Sequence, residues 1–212
     1  MPPLRTQRAE VSVRSDPREP RPVRRSVRPP SSVARTFARL DCEHIAALLK
    51  STAEVPPVVA SFLGLGAARN GWLVHGSLPG QADVDRENLT EAGLDVVGLT
   101  AKGQLEIMEL NLTLAPDRWV RPWSLRLDQR MAEGFDALWF ARFPVDANEG
   151  EIADVLPFEE AWLRCFAGRR VVTLCPYIVG DMAADMRRAQ LDDISSVHDR
   201  VVAVGAAVSS RH

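Results

Sequence analysis

Residues 137–175 read ALWFARFPVDANEGEIADVLPFEEAWLRCFAGRRVVTLC, and the order of their parts decides the fold. The opening run Ala137-Leu138-Trp139-Phe140-Ala141 is apolar without interruption. The closing run Val171-Val172-Thr173-Leu174-Cys175 is broken only by a threonine. A strand with one wet face alternates apolar and polar residues, whereas a strand covered on both faces does not. Between the two runs, a loop rich in Asp, Asn and Gly (residues 146–150) leads to Pro157 and to a helix expected over Phe158–Phe166, followed by Gly168. Two buried strands joined by a helix make a parallel crossover unit.

The same alternation continues outward on both sides. Downstream, Met182–Ala189 reads as a short helix and Val201–Gly205 as a last strand. Upstream, His44–Leu49 is a first strand. Glu54–Ala68 follows as a helix, with Pro56 and Pro57 in its first turn, where a missing donor costs nothing. Trp72–Gly76 is a buried strand. Asp83 or Asp85 is expected to cap a helix through Ala92, with Gly93 as its stop. Leu105–Leu110 alternates apolar and acidic residues as a further strand. Arg118–Ala132 is a helix with Trp119, Trp123, Leu127 and Met131 along one face and Pro122 in its first turn. There is no internal repeat. Strands separated by helices predict an α/β fold, a mainly parallel sheet with helices on both faces.

Hydrophobic residues make up 46% of the 212, enough for a core without disulfides. The net charge of −2 hides an asymmetry. Residues 1–40 hold ten Arg, no Lys and only three acids, a surplus of seven positive charges, so the remainder carries nine negative ones. This Arg/Pro-rich tail has too few large apolar groups to offset ordering entropy and is expected to be disordered, ahead of a domain over 41–208. The acidic body argues against nucleic-acid binding by the folded domain, because that affinity comes mainly from neutralising phosphates. Three cysteines without a CxxC pair indicate a reducing, cytoplasmic setting. No apolar run reaches membrane-spanning length, so no membrane association is expected.

In their order and wording, these segments resemble the MEDS domain, a methanogen/methylotroph sensory domain. The likeness runs over about 43–205. It is carried by His44 opening the first strand, by Phe62-Leu63-Gly64-Leu65-Gly66, and by Glu133-Gly134-Phe135 before the core strand. Its most specific piece is Pro157-Phe158-Glu159-Glu160-Ala161 through Val172-Thr173-Leu174-Cys175-Pro176-Tyr177, and Ser196-Val197-His198 closes it. The resemblance implies a RecA/KaiC-like three-layer fold without nucleotide hydrolysis, sensing small molecules beside DNA-binding, kinase or anti-sigma modules. The chain departs from the family pattern at Arg142-Phe143-Pro144, where an acid is frequent, and at Leu49-Lys50, where Tyr-Glu is frequent.

The residues set limits on the chemistry. The strand-to-helix loop Gly76-Ser77-Leu78-Pro79-Gly80-Gln81-Ala82-Asp83 has glycines but no lysine and no Ser or Thr at the position a phosphate-binding loop requires, and its Asp would repel phosphate. Glu159 and Glu160 stand at an expected helix start, where the dipole favours carboxylates. On the family likeness, Glu159 instead points into a crevice at the strand ends. Cys175 and the only tyrosine, Tyr177, end a strand beside that crevice. Cys175 reads either as a small buried hydrophobe or as a thiol serving a ligand. His44, His75, His198 and Cys175 are residue types that suit zinc, but their spacing matches no zinc motif, so neither a metal nor a cofactor is expected. No Ser sits in a nucleophile elbow. The five Trp read as core and sheet-edge packing rather than a stacking platform, with the one-face pair Trp119 and Trp123 lining a pocket or a partner surface as the alternative.

The ligand-binding candidates are therefore His44, Arg142, Glu159, Cys175 and Tyr177, with no catalytic residue. The function expected is a non-catalytic sensory domain that binds a small molecule, a regulatory protein (a kinase, an anti-sigma factor or a DNA-binding regulator), or both, and that works through that separate partner or through self-association. A nucleotide-binding enzyme of the RecA/KaiC class is one alternative. The other is a scaffold whose pocket is filled by Trp139 and Phe143.

Overall fold

Among the described residues every strand pairing is parallel. The computed structural model describes residues 42–147, 152–180 and 184–204. The basic tail expected to be disordered, and the start of the expected helix at Met182, lie outside the described residues. In chain order the elements are β1 (His44–Leu49), a short 3-10 turn (Thr52–Glu54), α1 (Val55–Ala68), β2 (Trp72–Ser77), α2 (Ala82–Glu91), α3 (Val96–Ala101) and β3 (Leu105–Glu109). There follow α4 (Pro116–Ala132), β4 (Leu138–Ala141), β5 (Val145–Asp146), α5 (Ile152–Phe166), β6 (Val171–Ile178), α6 (Ala184–Ser196) and β7 (Arg200–Ala203). The strands lie in the order β3-β2-β4-β6-β1-β7, with β5 paired to β6.

The sheet divides two cores. Ile45, Ala47 and Leu49 of β1 and Val172, Leu174 and Ile178 of β6 face α1, α2 and α3. Ala46 of β1 and Val171, Cys175 and Tyr177 of β6 face α4, α5 and α6. This period-2 division of wholly buried strands is what the uninterrupted apolar runs required. On the second face Trp119, Trp123, Phe140, Trp162 and Phe166 form one continuous aromatic cluster, in which Phe140 stacks on Trp162 at 4.5 Å. The tryptophan pair of α4 is therefore core, not the lining of an open pocket.

Several expected boundaries move, for a common reason. Pro122 reads as a first-turn residue and Pro157 as the residue ahead of a helix, yet α4 begins at Pro116 and α5 at Ile152, so both prolines are interior. Each is exposed, so the carbonyl that loses its donor can turn to water. Glu159 consequently sits mid-helix rather than at an N-terminus. Asp83 and Asp85 likewise lie inside the first turn of α2, whose cap is Gln81. The short α3 and β5 have no counterpart in the sequence reading. Asp95 starts α3, its side chain accepting from the Gly98 amide at 3.1 Å.

Between β4 and β5 the register gains a residue. Ala141 pairs with Leu174 and Val145 with Tyr177, so four steps on one strand match three on the other. The extra residue lies in Arg142-Phe143-Pro144, and the Arg142 amide still reaches the Leu174 carbonyl at 3.0 Å. Alternation from Phe140 already places Arg142 on the face of the second core, and the extra residue brings Phe143 to that face as well, as a bulge does when it redirects a side chain.

Candidate functional site

Six polar side chains meet inside that core. On β1, His44 shares a face with Ala46, whose Cα pairs with Cys175 of β6. Ala46 adds only a methyl group beside the thiol. Across from them, α5 lays Ile152, Val155, Glu159, Trp162 and Phe166 along one buried stripe, in which Glu159 is the single acid. Trp162 locks the helix to the sheet by donating from its indole Nε1 to Thr173 Oγ1 at 2.8 Å. The carboxylate one turn before it is thereby aimed at His44 and Cys175.

Glu159 is the hub. Its Oε2 lies 2.8 Å from His44 Nε2 and accepts from the Cys175 thiol at 3.3 Å. Its Oε1 lies 2.8 Å from Arg142 Nε and accepts a long contact from the Tyr177 hydroxyl at 3.4 Å. His44 Nε2 is also 3.3 Å from Cys175 Sγ. Arg142 donates to the Phe143 carbonyl at 2.9 Å and lies over the Tyr177 ring. His198, in the segment between α6 and β7, packs its ring 4.1 Å from that of His44. That segment is pinned to β1 twice: the His44 amide donates to Asp199 Oδ2 and the Asp199 amide to the His44 carbonyl, both at 2.8 Å.

His198 Nδ1 lies 2.7 Å from the Ile194 carbonyl, which can only accept, so Nδ1 carries the hydrogen and Nε2 the lone pair. That Nε2 is buried and has no hydrogen-bond partner, as is true of His44 Nδ1 and Arg142 Nη2. Arg142 Nε, although close to Glu159, is off the angle of a hydrogen bond.

The charges follow from this packing. Burial disfavours the Glu159 carboxylate, but Arg142 and His44 beside it outweigh burial and hold it well below the usual carboxylate range. Burial also opposes the charge on Arg142, and Glu159 again outweighs it, so the guanidinium stays charged. For His44, burial is overcome by Cys175 and Glu159, and the imidazole is raised to about 10. His198 goes the other way: burial and the charge on His44 lower it to about 4, so its ring is neutral near neutral pH. Burial and the Glu159 charge push both the Cys175 thiol and the Tyr177 hydroxyl up, leaving them protonated. The cluster thus holds two cations against one carboxylate.

All five candidates, His44, Arg142, Glu159, Cys175 and Tyr177, come together here, though not in the expected place. Cys175 and Tyr177 lie within β6 on the face of the sheet, rather than at its end in a crevice. The crevice at the carboxyl ends of the strands does exist, as a hollow of about 160 Å³ lined by Val55, His75, Asp85, Asn88 and Pro144. It holds none of the five. There His75 Nε2 lies 3.2 Å from Asp85, whose carboxyl is held low by His75 and Ser77 against the pull of burial. His75 is therefore separate from His44 and His198. His198 was grouped with the metal-capable residues on chemistry alone, and the fold brings it into the cluster. Trp139 packs on the opposite core, so of the two side chains expected to fill the pocket only Phe143 lies on this side.

Two hollows adjoin the cluster. One, lined by Trp119, Phe140, Arg142, Glu159 and Thr173, has about 10 Å³, room for no more than a water. The other opens at the start of β1 and β6, has about 250 Å³, and is lined by Cys42, Glu43, His44, Trp162, Thr173 and Asp199. His44 therefore has one side toward this open hollow and the other in the buried cluster. In the glycine loop after β2, the Gly80 amide donates to Glu109 Oε1 at 2.7 Å, which places a carboxylate where a phosphate would need the amide. Among the described residues no helix is long and apolar enough to cross a membrane.

A comparison with curated proteins found no match. The model of one family, described as the methanogen/methylotroph, DcmR sensory domain (MEDS), matches residues 43–199. That span runs from the residue before β1 to the residue before β7 and takes in all six members of the cluster. The chain belongs to the MEDS sensory-domain family.

Proposed function

We propose that the domain is a non-catalytic sensor of bacterial signal transduction or transcriptional control, in which the buried cluster around Glu159 is the responsive part. The observation that carries this reading is a set of ionic groups buried beneath α5 with four polar atoms left without hydrogen-bond partners. Buried ion pairs cost desolvation and add little net stability. Their presence fits a task other than holding the fold together. The space beneath α5 is too small for an organic molecule, which suits a switch: an organic ligand must lift α5 to enter and is coupled to that motion. The response passes from the α4–α5 face to a separate regulatory protein, a kinase, an anti-sigma factor or a DNA-binding regulator, or to a second copy of the domain. Three free thiols, Cys42, Cys165 and Cys175, accord with a cytoplasmic location.

The closed space of about 10 Å³ beside Arg142 and Glu159 favours a second reading, a scaffold that recognises only proteins. Thermal unfolding of the full chain, alone and with saturating Mg-ATP, ADP or a panel of small organic metabolites, separates these readings. A ligand at 100 times its dissociation constant adds about 2.7 kcal/mol, a rise of roughly 5–11 °C for a domain of this size. A rise with an organic metabolite alone is expected of a sensor. A rise with Mg-ATP overturns the reading in favour of a nucleotide-binding enzyme, and no rise with any ligand overturns it in favour of the scaffold.

A further inference from the structure

His44, Glu159, Cys175 and His198 come from four different parts of the chain, yet one donor atom of each lies within 4.8 Å of the others. All four residues are buried. Three edges of this group are explicit: 2.8 Å from His44 Nε2 to Glu159 Oε2, 3.3 Å from that nitrogen to Cys175 Sγ, and 3.3 Å from the sulfur to Oε2. A four-coordinate zinc-class ion bonds N and O at about 2.0–2.2 Å and S at about 2.3 Å, which sets tetrahedral edges of about 3.3–3.6 Å. The three edges need only modest spreading to meet that geometry.

His198 supplies an independent observation. At 8% exposure, its Nε2 is buried with no hydrogen-bond partner. A buried acceptor left unsatisfied costs free energy, and this one is held in its tautomer by the Ile194 carbonyl on the opposite ring nitrogen. An imidazole fixed through its second nitrogen to a backbone carbonyl is how ligating histidines are oriented. Two imidazoles, a thiolate and a carboxylate form a donor set that selects zinc and its neighbours over magnesium or calcium.

We propose that His44, Glu159, Cys175 and His198 form a closed, four-coordinate site for a divalent first-row transition ion of zinc's class. The ion takes the place of two protons, one on His44 Nε2 and one on Cys175 Sγ, and both leave to solvent. The thiolate and the carboxylate then balance its charge. Arg142 stays on the other oxygen of Glu159 and holds the carboxylate in orientation, and the open hollow beside His44 gives the ion a way in. Bound there, the ion ties α5 to β1, to β6 and to the segment before β7, so its loading sets how firmly α5 seats on the sheet. The site uses the residues of the sensory reading, but its test involves no organic ligand, so either can fail without the other.

The test uses the full chain with Cys42→Ser and Cys165→Ser, in which Cys175 is the only thiol. The reduced protein, freed of metal, is titrated with cobalt(II). One equivalent is taken up, with a thiolate-to-cobalt charge-transfer band and the strong d–d absorption of a four-coordinate ion, and zinc bleaches both. His198→Ala in the same background weakens cobalt binding roughly tenfold or more, while His75→Gln leaves it unchanged. The site is overturned if cobalt binds without the charge-transfer band or fails to saturate at one equivalent. Equal binding by His198→Ala also overturns it. Should that variant not fold, the band and the stoichiometry of the parent still decide.

Discussion

Replacing Glu159 by Gln leaves Arg142, only 5% exposed, without its counter-ion, and it weakens the acceptor of His44. Removing one partner of a buried pair costs about 3–5 kcal/mol, because the remaining charge has nowhere to go. Glu160, its exposed neighbour on α5, faces water, and its contact with Arg164 is long, 3.7 Å. Such surface changes stay within about 0.5 kcal/mol. Urea unfolding of Glu159→Gln and Glu160→Gln should therefore separate the two widely, and equal midpoints would mean that the cluster carries no net interaction. The difference was present in the sequence. Ile152, Val155, Glu159, Trp162 and Phe166 recur at steps of three and four, with an acid in a core position. Reading Pro157 as a helix start cut that stripe in half and made Glu159 look like a capping carboxylate. Arg142 was less legible, because the apolar run ends at Ala141 and the strand's alternation carries one residue further, to a charged side chain that a loop reading leaves in water.

Elements were legible where a period or an apolar run was long, and hidden where a few residues decide. The runs at β1, β2, β4 and β6 each matched a strand, since wholly buried parallel strands need no alternation to be recognised. The six residues of α3 are too few to display a period. Close approach of elements was equally hidden, and α1 shows it in two glycines. A Cβ on Gly66 would run into the root of the Trp139 indole and into Leu73, whereas on Gly64 it would meet only Leu94 at 4.0 Å. Alanine gains about 1 kcal/mol over glycine within a helix, and overpacking a filled core costs about 1–3 kcal/mol. At Gly66 the clash wins, because Trp139 and Leu73 are fully enclosed between α1 and the sheet. Gly64→Ala should raise the midpoint of thermal unfolding and Gly66→Ala lower it. A rise in both would show that Trp139 has room to give.

For the whole molecule, the sheet is the shared wall of two cores. Successive residues of β1 and β6 point alternately to the α1–α3 side and to the α4–α6 side, so neither core can open without disturbing strands that the other needs. The tryptophans divide unevenly between the sides: Trp139 lies with the first core, and Trp72, Trp119, Trp123 and Trp162 with the second. In Trp139→Phe, indole fluorescence reports the second core alone, while far-ultraviolet dichroism reports helices and strands throughout. If the shared sheet makes the cores one cooperative unit, urea transitions followed by the two probes will coincide, as in two-state domains. Two separated transitions, fluorescence changing first, would mean that α4–α6 loosen while the sheet and α1–α3 persist. The choice bears on function, because a sensor acting through α5 needs that layer to move against a sheet that stays intact. Coincident transitions would confine the response to small shifts of a folded whole, and separated ones would make partial release of the α4–α6 layer energetically accessible.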